Sequence, residues 1–183
     1  MHLLLSRLPS PIGAVWLVSD GEALRALDFE DHEPRLHRLL RLHYGSYALT
    51  PTEEAGPLAR HVEAYFEGDL AALDRIPVRT AGTEFQRLIW AELRLIPPAT
   101  TITYGSLAAR AGRPTASRAA GLANGANPVA IVVPCHRVIG ANGDLTGYGG
   151  GLHRKEWLIG HERRHATGSS IGRQPHDTSR AMR

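Results

Sequence analysis

Asn-Pro-Val-Ala-Ile-Val-Val-Pro-Cys-His-Arg-Val-Ile-Gly, residues 127–140, is the stretch on which the reading of this 183-residue chain turns. It carries the only cysteine, Cys135, which therefore cannot be half of an intramolecular disulfide. A free cysteine is among the most buried residue types, and packing is its commonest use. Here, however, the apolar run stops at Pro134, which puts the thiol at an edge between core and polar surroundings. His136 and Arg137 follow at once, and a nearby imidazole or guanidinium favours the thiolate, the nucleophilic form. The stretch reads as an arrangement for covalent chemistry, with residues 130–133 as a short buried strand delivering the sulfur.

Downstream, Ala141-Asn142-Gly143-Asp144 reads as a turn and Gly147-Tyr148-Gly149-Gly150-Gly151 as a pliant loop. A final helix from Leu152 to about Glu162 turns Leu152, Leu158 and Ile159 inward. Residues 166–183, rich in Ser, Thr, Gly and Arg, read as a disordered basic tail.

Upstream lie two short helical segments. One covers residues 103–111, with Leu107, Ala108 and Ala111 on one side and Gly112 closing it. The other, which Thr115 is placed to cap, runs to about Ala123 and ends near Asn124-Gly125. The pair is compatible with a helix-turn-helix, a weak signal by itself. In the second helix Ala116, Ser117, Ala119, Ala120 and Gly121 leave a smooth surface from which Arg118 projects. Small residues suit ordinary helix packing, and they equally suit close approach to a DNA minor groove with arginine as the probe.

A longer helix precedes this pair. Thr83 and Gln86 have capping-box spacing, Phe85, Leu88, Ile89, Leu93 and Ile96 form the apolar face, and Pro97-Pro98 stops it. The first part of the chain has a different texture. Residues 3–8, 14–18 and 23–29 read as strands separated by Ser10-Pro11-Ile12-Gly13 and Ser19-Asp20-Gly21. Leu36, Leu39 and Leu40, and then Leu58, Val62, Tyr65 and Phe66, recur at helical spacing. The fold class is α+β, with a domain over residues 1–78, a second over 82–165 and the tail from 166.

Residues 1–81 carry a net charge of −4, residues 82–162 one of +3 and the remainder one of +4, so a polyanionic partner suits the second half. No run of about 20 apolar residues is present, which excludes a helical membrane span. One cysteine and an N-terminus without a long apolar run give the expectation of a cytoplasmic protein.

Pro-Cys-His-Arg-Val at 134–138, with Asn-Pro before it and Gly-Tyr-Gly-Gly-Gly and a terminal His-Glu after it, resembles the O6-alkylguanine-DNA alkyltransferases. Ser-Pro-Ile-Gly at 10–13, Thr-Glu-Phe-Gln at 83–86 with Trp90, and Thr-Tyr-Gly-Ser-Leu-Ala at 103–108 fit in order and spacing, so the resemblance spans about residues 5–162. It implies a ribonuclease-H-like first domain and a mostly helical, winged-helix-like second domain that binds DNA and carries the thiol. It also implies a partner, duplex DNA containing alkylated guanine, and an irreversible transfer of the O6-alkyl group to Cys135 after base flipping. O4-alkylthymine as a second substrate, alkyl size and cooperativity along DNA stay open; a monomer without membrane contact is expected.

By the same resemblance, Arg118 is the finger that fills the duplex, on a surface formed by Thr115, Ala116, Ser117, Ala119 and Gly121. His136 and Glu162 activate the thiol, and a thiol pKa lowered by about three units corresponds to ~4 kcal/mol in favour of the thiolate. Asn127 is the hinge before the thiol strand, and Tyr104 donates to the guanine ring. Pro134, Val138, Tyr148 and Gly149 complete the pocket with Tyr104. Many relatives have serine where Gly149 stands, so a side-chain contribution there is missing. No cofactor is implied, and the zinc that some relatives hold in the first domain has no cysteine here to bind it.

Two other readings compete. His161-Glu162-Arg163-Arg164-His165 matches the His-Glu-x-x-His signature of zinc proteases, but the third ligand of the extended motif falls on Ile171. A lesion-sensing protein without the nucleophile is the second alternative, and the presence of Cys135 opposes it.

Overall fold

The computed structural model describes residues 1–52 and 56–168. Strands β1 (His2–Leu8), β2 (Val15–Ser19) and β3 (Leu24–Phe29) follow the turn chemistry read from the sequence, and they pair antiparallel in succession. Helix α1 (Glu33–Tyr44) leads to β4 (Ala48–Pro51), which joins the free edge of β1 in parallel. The sheet order is β3-β2-β1-β4. Strand β4 is absent from the sequence reading because it is four residues long, ends in proline and buries none of its side chains. An edge strand of that kind has no alternation to detect.

Side chains alternate across the sheet, as the two-residue period of a strand requires. Val18 and Ala26 face α1, where Leu36 and Leu40 cover them together with Leu3. Leu17 and Leu27 face the other way, into a larger core, and Leu24 joins them because the register shift at Val18/Ser19 interrupts the alternation. That core takes Ala59, Val62 and Tyr65 from α2 (Pro57–Phe66) and continues without a break into Ile89, Leu93, Leu107 and Val129 of the second half. Burying one such aliphatic side chain contributes about 1.5–3 kcal/mol, so this shared core fixes how the two halves sit.

After a 3-10 turn at Leu70–Arg75, α3 (Glu84–Arg94) begins with the expected capping box. Gln86 N–H donates to Thr83 Oγ1 at 3.2 Å, and Thr83 N–H donates to Gln86 Oε1 at 3.0 Å. The apolar face differs from the expected one. Trp90 is buried with Ile89 and Leu93, while Leu88 is 40% exposed. Ile89, Leu93 and Ile96 keep their expected places, and Trp90 joins them with its Nε1–H donating to the Ala123 carbonyl at 2.9 Å.

Helix α4 (Tyr104–Arg110) is capped by Thr103, and α5 (Ser117–Gly125) follows a tight turn. Thr115 does not cap α5, which starts after Ala116 with no side-chain cap. Strands β5 (Ile102–Thr103) and β6 (Val138–Ile139) form a two-residue parallel pair too short to read from a sequence. The last helix, α6 (Leu152–Gly168), runs well past the expected end at Glu162. Of the expected tail, residues 166–168 therefore belong to this helix, and the rest lies outside the described residues.

Residues 130–133 are not a strand. Val129 makes a single parallel bridge to Leu27, and the chain then coils through turns, with Ile131 at φ +70°. Val132 N–H donates to the Ala130 carbonyl and Val133 N–H to the Val129 carbonyl. The run is apolar because it is buried on all sides, a condition that a packed turn meets as well as a strand does. A β-branched residue in the left-handed region is strained, so surrounding packing must hold it there.

Candidate active site

That coil ends at Cys135, the first residue of a single 3-10 turn, Cys135–Arg137. Asn127 holds the coil closed. Its Oδ1 accepts from Val129 N–H at 3.0 Å, and its Nδ2 donates to the Val133 carbonyl at 2.8 Å. The same Nδ2 lies 3.1 Å from Cys135 Sγ. Asn127 thus does more than the hinge role expected of it: it orients the sulfur directly.

The thiol is buried, 6% exposed, and burial pushes its pKa above the ordinary 9.0. The hydrogen bond from Asn127 and the positive charges of Arg35 and Lys155 pull the other way without overcoming it. This reverses the expected lowering. In the DNA-free protein the sulfur is a thiol, because desolvation penalises the anion more than its neighbours stabilise it.

His136 is wholly buried, and its Nε2 lies 2.8 Å from Glu162 Oε1. Glu162 is kept ionised, its pKa held far below the usual carboxylate range by His136 and Arg137 despite the cost of burial. A carboxylate can only accept, so Nε2 carries the proton. Burial lowers the imidazole pKa below 6.5, which leaves the ring neutral and its Nδ1 bare. Nδ1 is buried and has no hydrogen-bond partner among the described residues. A neutral imidazole fixed in one tautomer, with its other nitrogen open, is equipped to accept a proton.

The sequence reading paired Glu162 with His136 alone, whereas the carboxylate is a hub. Arg137 Nη2–H and Nε–H donate to Oε1 at 2.8 and 3.1 Å, and Tyr65 O–H from α2 donates to Oε1 at 3.0 Å. Ala99 N–H donates to Oε2 at 2.9 Å. Ala99 adopts φ +61°, a conformation that costs a non-glycine residue about 1–2 kcal/mol and here aims its amide at the carboxylate. Nothing in the sequence separates Tyr65 from a core aromatic.

Beside this centre a cavity of about 540 Å³ opens between α4, α5 and the loop before α6. Tyr104, Ser117, Arg118, Gly121, Tyr148 and Gly149 line it, together with Leu122, Asn124 and Thr146, which were not foreseen. Pro134 and Val138, expected in the pocket, are buried behind it and are not among the lining residues. Val138 is instead committed to the β5–β6 pair, and Pro134 to the turn before Cys135. Tyr104 O–H donates to the Thr146 carbonyl at 3.0 Å, an acceptor it shares with Lys155 Nζ at 2.8 Å. Of the smooth helix surface, Thr115, Ser117, Arg118 and Ala119 are exposed, and Ala116 and Gly121 are half-buried.

A further residue comes from the first half. Arg35 of α1 pairs with buried Asp28 at 2.5 Å and donates through Nη2 to the carbonyls of Gly125 (3.0 Å) and Asn127 (3.1 Å). A Cβ on Gly149 would sit 2.6 Å from its guanidinium carbon. A side chain at 149 would therefore require the Arg35 guanidinium to shift.

The His-Glu-x-x-His motif does not assemble. His161 Nε2–H is spent on the Tyr65 carbonyl at 2.8 Å, and His165 Nδ1–H on the His161 carbonyl at 2.9 Å. Glu162 points away from both, toward His136.

Known proteins resemble the chain over both of its halves. Residues 3–80 match the family model described as the ribonuclease-like domain of 6-O-methylguanine DNA methyltransferase, and residues 84–164 match its DNA-binding domain. A methylated-DNA–protein-cysteine methyltransferase of Salmonella typhimurium is 48% identical over 165 residues, covering 88% of this chain and 96% of the relative. One from Methanosarcina acetivorans is 44% identical, covering 82% and 92%. The crystal structure of Mycobacterium tuberculosis OGT in complex with DNA superposes with a TM-score of 0.74 at 38% identity, covering 90% of this chain and 94% of that one. With both halves matched in order and the lone thiol beside its imidazole–carboxylate pair, the chain belongs to the O6-methylguanine DNA methyltransferase family.

Proposed function

We propose that this chain repairs duplex DNA by direct reversal, taking the alkyl group of O6-alkylguanine onto Cys135 in one irreversible turnover. The observation that carries the reading is the only cysteine of the chain held by Asn127 Nδ2 at 3.1 Å, next to a neutral, fixed His136. A base inside a duplex stack is out of reach of a thiol, so the guanine is extruded into the cavity at a cost of a few kcal/mol. Arg118, exposed on α5 at the cavity mouth, occupies the space left behind.

In the cavity, Tyr104 exchanges its bond to the Thr146 carbonyl for one to the guanine ring, and Lys155 keeps that carbonyl satisfied. The N–H of Gly149 faces O6. His136 Nδ1 takes the thiol proton through a bridging water, and the sulfur attacks the alkyl carbon. The C–O6 bond breaks with its electron pair going to the purine, which takes up a proton to become guanine. The sum is a proton lost by sulfur and gained by guanine, with no cofactor. Donors already positioned for the developing purine anion favour the transition state over the ground state. The product thioether has no route back, so each molecule acts once.

In the same reading the chain divides at residues 79–81, and it works in the reducing cytoplasm, where an unpaired thiol persists. Supplying an excess of duplex with isotope-labelled O6-methylguanine tests the proposal. Methyl removal should plateau at one equivalent per chain; repeated turnover, or none, would refute it.

A further inference from the structure

Besides Arg35, the first half sends a hydroxyl into the proton-transfer centre. Tyr65 is fully buried, and its O–H donates to the same Glu162 oxygen that holds His136 Nε2. The ring is fixed edge-on against His161, 5.1 Å between centroids, so the hydroxyl has little freedom to look elsewhere. Its neighbour Phe66 packs against Trp157 and His161 in the same α2–α6 contact with no hydroxyl at all. Aromatic bulk alone is therefore sufficient for that interface, and the oxygen of Tyr65 is left to be explained by what it touches.

Resting on the function above, we propose that Tyr65 is a positioning residue for alkyl transfer. Its hydroxyl fixes the Glu162 carboxylate and limits the negative charge presented to His136, thereby setting how readily Nδ1 accepts the Cys135 proton. A hydrogen bond donated to a carboxylate stabilises the anion and makes it a weaker partner for an imidazolium. The charged and titratable groups around the pair are few. Arg137 donates to Glu162 from the thiol turn, Lys155 of α6 adds positive charge near His136, and His161 lies one residue before Glu162. Tyr148 of the cavity loop acts on Tyr65 electrostatically. Among the described residues, Tyr65 is the group from the first half that bonds to the carboxylate.

Tyr65→Phe removes that one oxygen. The rate of single-turnover transfer from an O6-methylguanine duplex, followed against pH in the full chain, should change in two ways. With Glu162 more basic, His136 holds its proton to higher pH, so the acid limb moves up by about half a pH unit. With the carboxylate less fixed, the plateau falls by about threefold to tenfold. Site-specific 3-fluorotyrosine at position 65 keeps the packing and strengthens the donor, so it should move the limb down. Phe66→Leu, which loosens the same interface without touching Glu162, should leave the limb in place. A ¹⁵N-histidine titration of the DNA-free protein reads the same shifts at His136 with no transfer involved, and so separates this inference from the functional reading. Superimposable profiles for the wild type, Tyr65→Phe and fluorotyrosine proteins, or a shift matched by Phe66→Leu, would overturn it.

Discussion

The sulfur's surroundings and the helix-lined cavity beside them are built on opposite plans. Around Cys135, Asn127, Glu162 and Arg137 are buried and hydrogen-bonded to one another or to main chain. Along α5, Ser117, Arg118, Ala119 and Leu122 stand in solvent. The first set is held by the protein's own packing, whereas the second faces solvent. Chemistry and recognition should therefore break separately here, by substitutions only a few residues apart.

The largest separation is expected from Cys135→Ser, which should abolish transfer and leave binding to lesion-containing duplex within about twofold, as measured by titration of a labelled oligonucleotide. Glu162→Gln comes next. It strips the charge from the hub and leaves buried Arg137 without its anion. Transfer should fall by about 10²–10³-fold, and denaturant unfolding should show a loss of about 3 kcal/mol. Arg118→Ala should do the converse. Repair in duplex should drop by about tenfold or more, while reaction with a free O6-alkylguanine base stays near wild type; equal losses on both substrates would remove the finger role.

A subtler contrast lies in pH. The folded-state pKa of Cys135 is raised, so absorbance of the thiolate in the DNA-free protein should titrate above 9.0. Because the unfolded chain gives up that proton first, stability should decline as pH rises past 9.0. The folded pKa values of His136 and Glu162 are lowered, so the unfolded chain binds protons first on acidification. Stability should therefore fall as pH drops below 6.5, and again below 4.5, where the unfolded glutamate protonates. The smallest effect is expected from removing residues 169–183: unchanged transfer, with DNA affinity weakened mainly at low salt.

What the sequence made legible follows the same division. The three first strands, the capping box at Thr83 and the glycine-closed helices were readable because turn and cap chemistry is local. Cys135, His136 and Glu162 were readable through their motif. The coil at 130–133 was not, since its apolar run reports burial and carries no backbone angle. Arg35, Tyr65 and Ala99 were missed for a related reason. Each reaches the site across a long sequence separation, and a lone arginine, a core tyrosine and an alanine after Pro97-Pro98 carry no spacing signal. The thiol's pKa was read with the wrong sign because neighbours in sequence suggested activation, whereas desolvation depends on packing that only the fold reveals.

If one sulfur receives the alkyl group, peptide-resolved mass spectrometry after incubation with an O6-methylguanine duplex will locate it. A gain of about 14 Da, one methylene's mass, on the peptide bearing Cys135 and nowhere else is the predicted result. Restored guanine with Cys135 unmodified, or the added mass on another residue, would contradict the account.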